Sequence, residues 1–150
     1  MRKFVLFTLI FLITGWVNAQ LNPVSWNFSV KKTADKTYDV YLNASMESGW
    51  HVFSQTQPED AIGVPTGIRF NPNPLIIVVG KVKEIGKLEK FKDKKLGLSA
   101  NQYSGAVNFV QTIKLKTKVK TNISGEVEYQ TCDDKKCLPP KKIPFNLVVK

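Results

Sequence analysis

Tyr38-Asp39-Val40-Tyr41-Leu42-Asn43-Ala44-Ser45-Met46 carries an apolar side chain at every even position and, Tyr41 apart, a small or polar one at every odd position. That period of two describes a strand with one face in a core. Upstream, Val24, Trp26, Phe28 and Val30 keep the same rhythm, and the polar stretch Lys31 to Thr37 between the two runs reads as a turn. The pair is expected to be antiparallel, with Glu47-Ser48-Gly49 closing the second strand.

Downstream, Trp50 to Ser54 is a third short candidate, and Gln55 to Pro65, with Pro58, Gly63 and Pro65, reads as a long loop. Ile68 to Phe70 resumes extended structure. Asn71-Pro72-Asn73-Pro74 signals a turn, and the β-branched run Leu75 to Val79 is expected to form a well-buried strand. Lys81 to Lys95 is lysine-rich. Its Val82, Ile85, Leu88 and Phe91 are spaced by three, as in a short helix, but Gly80, Gly86 and Gly97 argue for an irregular connection.

Val107, Phe109, Ile113 and Leu115 share one strand face with Gln111 among them, and Asn108, Thr112, Lys114 and Lys116 take the other. Lys114, Lys116, Lys118 and Lys120 continue at period two, a solvated face that also protects a sheet edge. Ile123, Val127 and Tyr129 mark a further strand, and Phe145, Leu147 and Val149 the last. Roughly eight short strands at such spacings predict an all-β, immunoglobulin-like antiparallel β-sandwich.

The chain has 150 residues, 43% of them hydrophobic and 23% charged, with 9 glycines and 8 prolines. One domain with a real core is implied, and collagen-like, low-complexity and disordered classes are excluded. Arg2-Lys3, an apolar run from Phe4 and the small residues before Gln20 have the order of a secretory signal peptide, residues 1–19, leaving a domain of residues 20–150. No later stretch approaches the roughly 20 apolar residues of a membrane span. Export places the chain in the periplasm or outside the cell and permits a disulfide. The net charge of +10 raises nucleic acid as a partner, but export and the lack of aromatic residues among the strand lysines argue against it. An acidic partner is the alternative use of that charge.

Cys132-Asp133-Asp134-Lys135-Lys136-Cys137 sits between the last two strands, so the cysteines flank a four-residue hairpin loop. Opposed hairpin positions lie within the range a disulfide accepts. Closing so small a ring contributes only about 2 kcal/mol, a weak structural reason for the bond. Alternation from Val127 and Tyr129 sends Cys132 to the opposite face, with Glu126, Glu128 and Gln130. Pro139 and Pro140 remove two backbone donors just beyond Cys137 and leave that edge open to a partner. The loop aspartates raise a thiol pKa and the loop lysines lower it, so its direction stays open. Two cysteines and the single His51 make three ligands at most, one short of a structural zinc site. A quiet structural bridge in a secreted immunoglobulin-like binding module and a redox centre both remain readings of this pair.

Gly125-Glu126-Val127-Glu128-Tyr129-Gln130-Thr131-Cys132 and Cys137-Leu138-Pro139-Pro140, together with Gly49-Trp50-His51-Val52-Phe53-Ser54 and Val107-Asn108-Phe109, resemble the N-terminal domain of the transmembrane disulfide reductase DsbD. That resemblance implies an immunoglobulin-like domain of the periplasm acting as a protein-disulfide reductase without a prosthetic group. It implies electrons taken from a thioredoxin-like or membrane thiol:disulfide donor and passed to periplasmic thiol proteins. It makes Cys132 and Cys137 the catalytic pair, with Cys137 forming the mixed disulfide. His51, Phe53 and Tyr129 become neighbours of the sulfurs, and Phe91 the aromatic residue of a cap loop. The four-residue spacing is shorter than in the best-known members, and neither the membrane domain nor the thioredoxin-like domain of that reductase is seen in the chain.

Overall fold

Alternating apolar residues form strands wherever the sequence keeps period two, and the computed structural model describes residues 21–95 and 97–150. The expected signal segment, residues 1–19, lies outside the described residues. In chain order the strands are β1 (Val24–Ala34), β2 (Thr37–Met46), β3 (His51–Phe53), β4 (Gly67–Phe70) and β5 (Ile76–Asp93). They continue as β6 (Leu98–Leu115), β7 (Thr121–Tyr129), β8 (Thr131–Cys132) and β9 (Lys141–Val149). Two antiparallel sheets result, β1-β2-β6-β3-β8 with β5 on the other side of β6, and β4-β7-β9. The fold is the immunoglobulin-like sandwich that the alternation predicts.

The even-numbered face of β2 packs against Val107, Phe109 and Ile113 of β6 and Ile123, Val127 and Tyr129 of β7. Trp26 sits among them, its ring 5.8 Å from that of Phe109 and 5.3 Å from that of Tyr129. Each such side chain taken from water is worth about 1.5 to 3 kcal/mol, so this interior supplies most of the driving force.

β6 is the strand that positions everything else. Its residues 106–114 pair with β2 and its residues 102–104 pair with β3. The change of partner falls at Gly105, whose φ of 73° lies in the left-handed region that glycine enters without steric cost. On its opposite side β6 carries β5 over nearly its whole length, with irregularities between Val79 and Lys83 and between Gly86 and Leu88. Gln111, buried in the interior, donates to the Val79 carbonyl at 2.8 Å, beside the first irregularity.

Three expectations are corrected here. Lys81 to Asp93 is neither helix nor irregular connection but most of β5, an 18-residue strand. The smaller sheet leaves most of β5 uncovered, so both of its faces are largely wet and its lysines carry no strand period while still suiting an unpaired edge. Ile77, Val78 and Val79 are 44–46% exposed rather than well buried, because the smaller sheet does not cover that rim. The lysine run does not continue one strand either. β6 stops at Leu115, Lys116 to Lys120 form the connection to β7, and β6 is an interior strand rather than an edge.

Candidate functional site

The chain leaves the smaller sheet at Gln130 and joins the larger one at β8, beside β3. Val127, Tyr129 and Thr131 point inward in succession and all are buried. Cys132 therefore faces away from the main core, as alternation from Val127 requires. It is nevertheless only 2% exposed. Residues 54–66 explain this, because that loop crosses the outer surface and closes Phe53, Ala100 and Cys132 into a second small apolar cluster under Ile62.

Hydrogen bonds hold the cover in place. Gln57 Nε2 donates to the carbonyls of Ser54 and Asn101, Thr66 Oγ1 donates to the Phe53 carbonyl at 2.6 Å, and the Val64 amide donates to Gln130 Oε1 at 2.8 Å. Gln130 Nε2 in turn donates to the Leu138 carbonyl, which ties the cover to the cysteine hairpin. Glu84 of β5 anchors the start of the loop. Its carboxylate accepts from Ser54 Oγ at 2.7 Å, from the Gln55 amide at 2.7 Å and from Tyr103 Oη at 2.8 Å. Burial, and then the Glu84 carboxylate, push the Tyr103 phenol far above its usual range, so it stays a donor.

Cys132 and Cys137 are joined, with Cα atoms 4.0 Å apart. The turn between them is built by Asp133. Its Oδ1 accepts from the amides of Lys135 at 2.8 Å and Lys136 at 2.7 Å, and its own amide donates to the Lys136 carbonyl at 2.9 Å. Those amides hold the Asp133 carboxyl below its usual 3.8. Cys137 is exposed where Cys132 is buried, so the bond joins a residue open to solvent to one shielded from it.

Both sulfur-bearing residues line a cavity of about 300 Å³ with His51, Phe53, Ile62, Phe91, Gln102, Asp133 and Asp134. His51 is the cross-strand partner of Cys132. Its ring meets that of Phe53 edge-on, 5.6 Å between centres. Partial burial pushes the imidazole below its usual 6.5, against the pull of Asp134, Glu89 and Asp133. Phe91, expected in a cap loop, instead lies within strand β5 opposite Ala100, where it is 43% exposed and forms the far wall.

Of the residues that the resemblance marks, the structure brings Cys132, Cys137, His51, Phe53 and Phe91 to one cavity. Tyr129 is elsewhere, in the main core against Trp26. Sequence reasoning missed Ile62 and Gln102. Ile62 sits in a loop without period and gave no signal, whereas Gln102 becomes readable only once Phe53 is known to oppose it across the sheet. Among the described residues no group of three or more His, Cys, Asp or Glu side chains is placed to hold a metal ion.

The family model of the N-terminal region of thiol:disulfide interchange protein DsbD matches residues 18–148. The chain belongs to the DsbD N-terminal family. No curated protein sequence matches it. Among solved structures, the N-terminal periplasmic domain of ScsB from Proteus mirabilis superposes with a TM-score of 0.60 at 18% identity, over 89% of this chain. This chain spans only 50% of that one. The reduced DsbD N-terminal domain of Neisseria meningitidis gives a TM-score of 0.51 at 15% identity, over 81% of this chain and 83% of that one. At these identities the likeness is one of fold. As a DsbD N-terminal domain the chain belongs to a family that takes part in thiol-disulfide exchange, and it carries a cysteine pair at bonding distance.

Proposed function

We propose that this domain is a periplasmic dithiol carrier, reduced by a thioredoxin-like or membrane thiol:disulfide donor and oxidised by the disulfides of periplasmic proteins. The observation that carries the reading is the unequal exposure of the two bonded cysteines in a cavity walled by His51, Phe53 and Phe91. A bond meant only for stability gains little from so short a loop. An exposed sulfur beside a hidden one suits a bond that is opened from one side.

In the reducing half-reaction a donor thiolate attacks Cys137 Sγ, the bond to Cys132 breaks, and Cys132 leaves as a thiolate that takes up a proton. The donor's second thiolate then displaces Cys137, which leaves as a thiolate and takes a proton from solvent, so the donor becomes the disulfide and the domain the dithiol. Running the same steps against an acceptor disulfide passes the two electrons on. The periplasmic location rests on the signal-like residues 1–19 and on membership of the family.

Titrating the purified domain against glutathione and thioredoxin redox buffers tests the reading. A potential near enough to thioredoxin's roughly −270 mV for exchange in both directions supports it. A potential far below that, with no exchange detectable, overturns it and leaves an inert bridge in a binding module.

A further inference from the structure

Cys132 poses a chemical problem that the exposed Cys137 does not. After Cys137 has formed a mixed disulfide with an acceptor, Cys132 must lose its proton to attack. A thiol that is 2% exposed in an apolar cluster resists ionising. Only the thiolate is the nucleophile, so without a base the resolving step stalls.

One row of side chains crosses the sheet at this point. Ser104 of β6 opposes His51 of β3, and His51 opposes Cys132 of β8. Opposed residues of an antiparallel pair project from the same face with Cβ atoms about 4.5 to 5.5 Å apart. Cys132 in turn opposes Cys137 across the hairpin. At the other end Ser104 Oγ donates to Glu89 Oε2 at 2.9 Å, and Glu89 lies on β5 opposite Gln102. The charged groups acting on His51 are Asp134 and Asp133 from the hairpin and Glu89 from β5, all acidic. Its neighbours on β3 and β6, Phe53, Gln102 and Ser104, carry no charge.

We propose that His51 is the proton station of the buried cysteine, taking the Cys132 proton in the resolving step and returning one when Cys132 is released as a thiolate. This rests on the carrier reading above. In the resolving step the proton passes from Cys132 Sγ to the imidazole, and the Cys132 thiolate attacks Cys137 Sγ. The Cys132–Cys137 bond forms while the bond from Cys137 to the acceptor breaks, and the acceptor sulfur leaves as a thiolate that is protonated from solvent. Two electrons leave the domain. The imidazolium, facing Asp133, Asp134 and Glu89, then passes its proton outward to water. Burial keeps the ring neutral near pH 7 and so ready to accept.

The test is a single-turnover release. The reduced chain is converted at Cys137 to the mixed disulfide with thionitrobenzoate, whose departure is coloured, and the release rate is followed from pH 5 to pH 9 in the wild type and in His51→Gln. The wild-type rate should rise through an inflection below pH 6.5 and level off. His51→Gln should lose that inflection, climb only with direct ionisation of the thiol, and be slower near pH 7 by about 10².

A second measurement needs no variant. His51 is the only histidine of the chain, so its ring proton signals are unambiguous, and its titration midpoint should differ between the oxidised and reduced forms. Identical pH profiles for the two proteins, or a midpoint indifferent to reduction, overturn the role of His51 while leaving the carrier reading intact. A wild-type mixed disulfide that never releases its thiol overturns both.

Discussion

The ring of Phe53 occupies the space that a side chain at position 63 would need. A Cβ built on Gly63 falls 2.2 Å from Phe53 Cε2 and 2.4 Å from Cζ. Gly63 also has a φ of 84°, in the left-handed region. The cover over Cys132 thus depends on a glycine that lets the loop lie flat on the aromatic ring. Gly63→Ala should cost about 1 to 3 kcal/mol from backbone strain and the displaced ring. Chemical unfolding measures the loss, and reduced Cys132 should react with alkylating agents faster than in the wild type. An unchanged Cys132 reactivity would mean that the loop does not seal the sulfur.

Glu84 ties three segments together through one carboxylate, accepting from Ser54, Gln55 and Tyr103. Glu84→Gln keeps the shape but turns one acceptor oxygen into a donor amide, which must face at least one of those three donors. A part-buried donor left without a partner costs about 1 to 3 kcal/mol. Thermal unfolding should fall by several degrees, and amide exchange should quicken at Gln55 before it does in β2. Loss spread evenly over both sheets would contradict an anchoring role.

What the sequence disclosed follows from which surfaces are covered. β1, β2, β6, β7 and β9 each have one face on the core and one in water, so Val24 to Val30 and Tyr38 to Met46 announce themselves by period two. β5 lies at the rim with both faces largely wet, so lysine, glycine and isoleucine occur along it without order, and its sequence predicts an irregular connection rather than a strand. Cys132 illustrates the same limit at the site. Its facing direction was legible from Val127, but its burial comes from a loop whose residues have no period, and nothing in Gln55 to Pro65 marks Ile62 as its lid.

His51 gives stability a pH dependence of known sign. Folding holds its pKa below the usual 6.5, so between the folded value and 6.5 the unfolded chain binds more protons. Its contribution is complete above about pH 6.5 and shrinks as the pH falls through that value towards the folded pKa. The carboxyls held low, Asp35, Asp60 and Asp133, start from 3.8 and titrate below this window. Urea unfolding at pH 7.5 and at pH 5.5 should therefore show a larger drop for the wild type than for His51→Gln. Equal drops would place the imidazole in open water.

The two sulfurs of one bond should behave as different reagents. Cys137 is exposed and followed by Pro139 and Pro140, also exposed, whereas Cys132 lies under Ile62 and beside Phe53. A small reductant thiol must then attack at Cys137, and the mixed disulfide trapped by acid should carry the reductant on Cys137 alone. Peptide mapping reads this directly, and Cys132→Ser should accumulate the adduct that the wild type resolves. Replacing both cysteines by serine should lower stability by only about 2 kcal/mol, the contribution of so short a ring. It should abolish exchange altogether. A loss much larger than that, with adducts divided equally between the sulfurs, would mark the bond as a structural rivet.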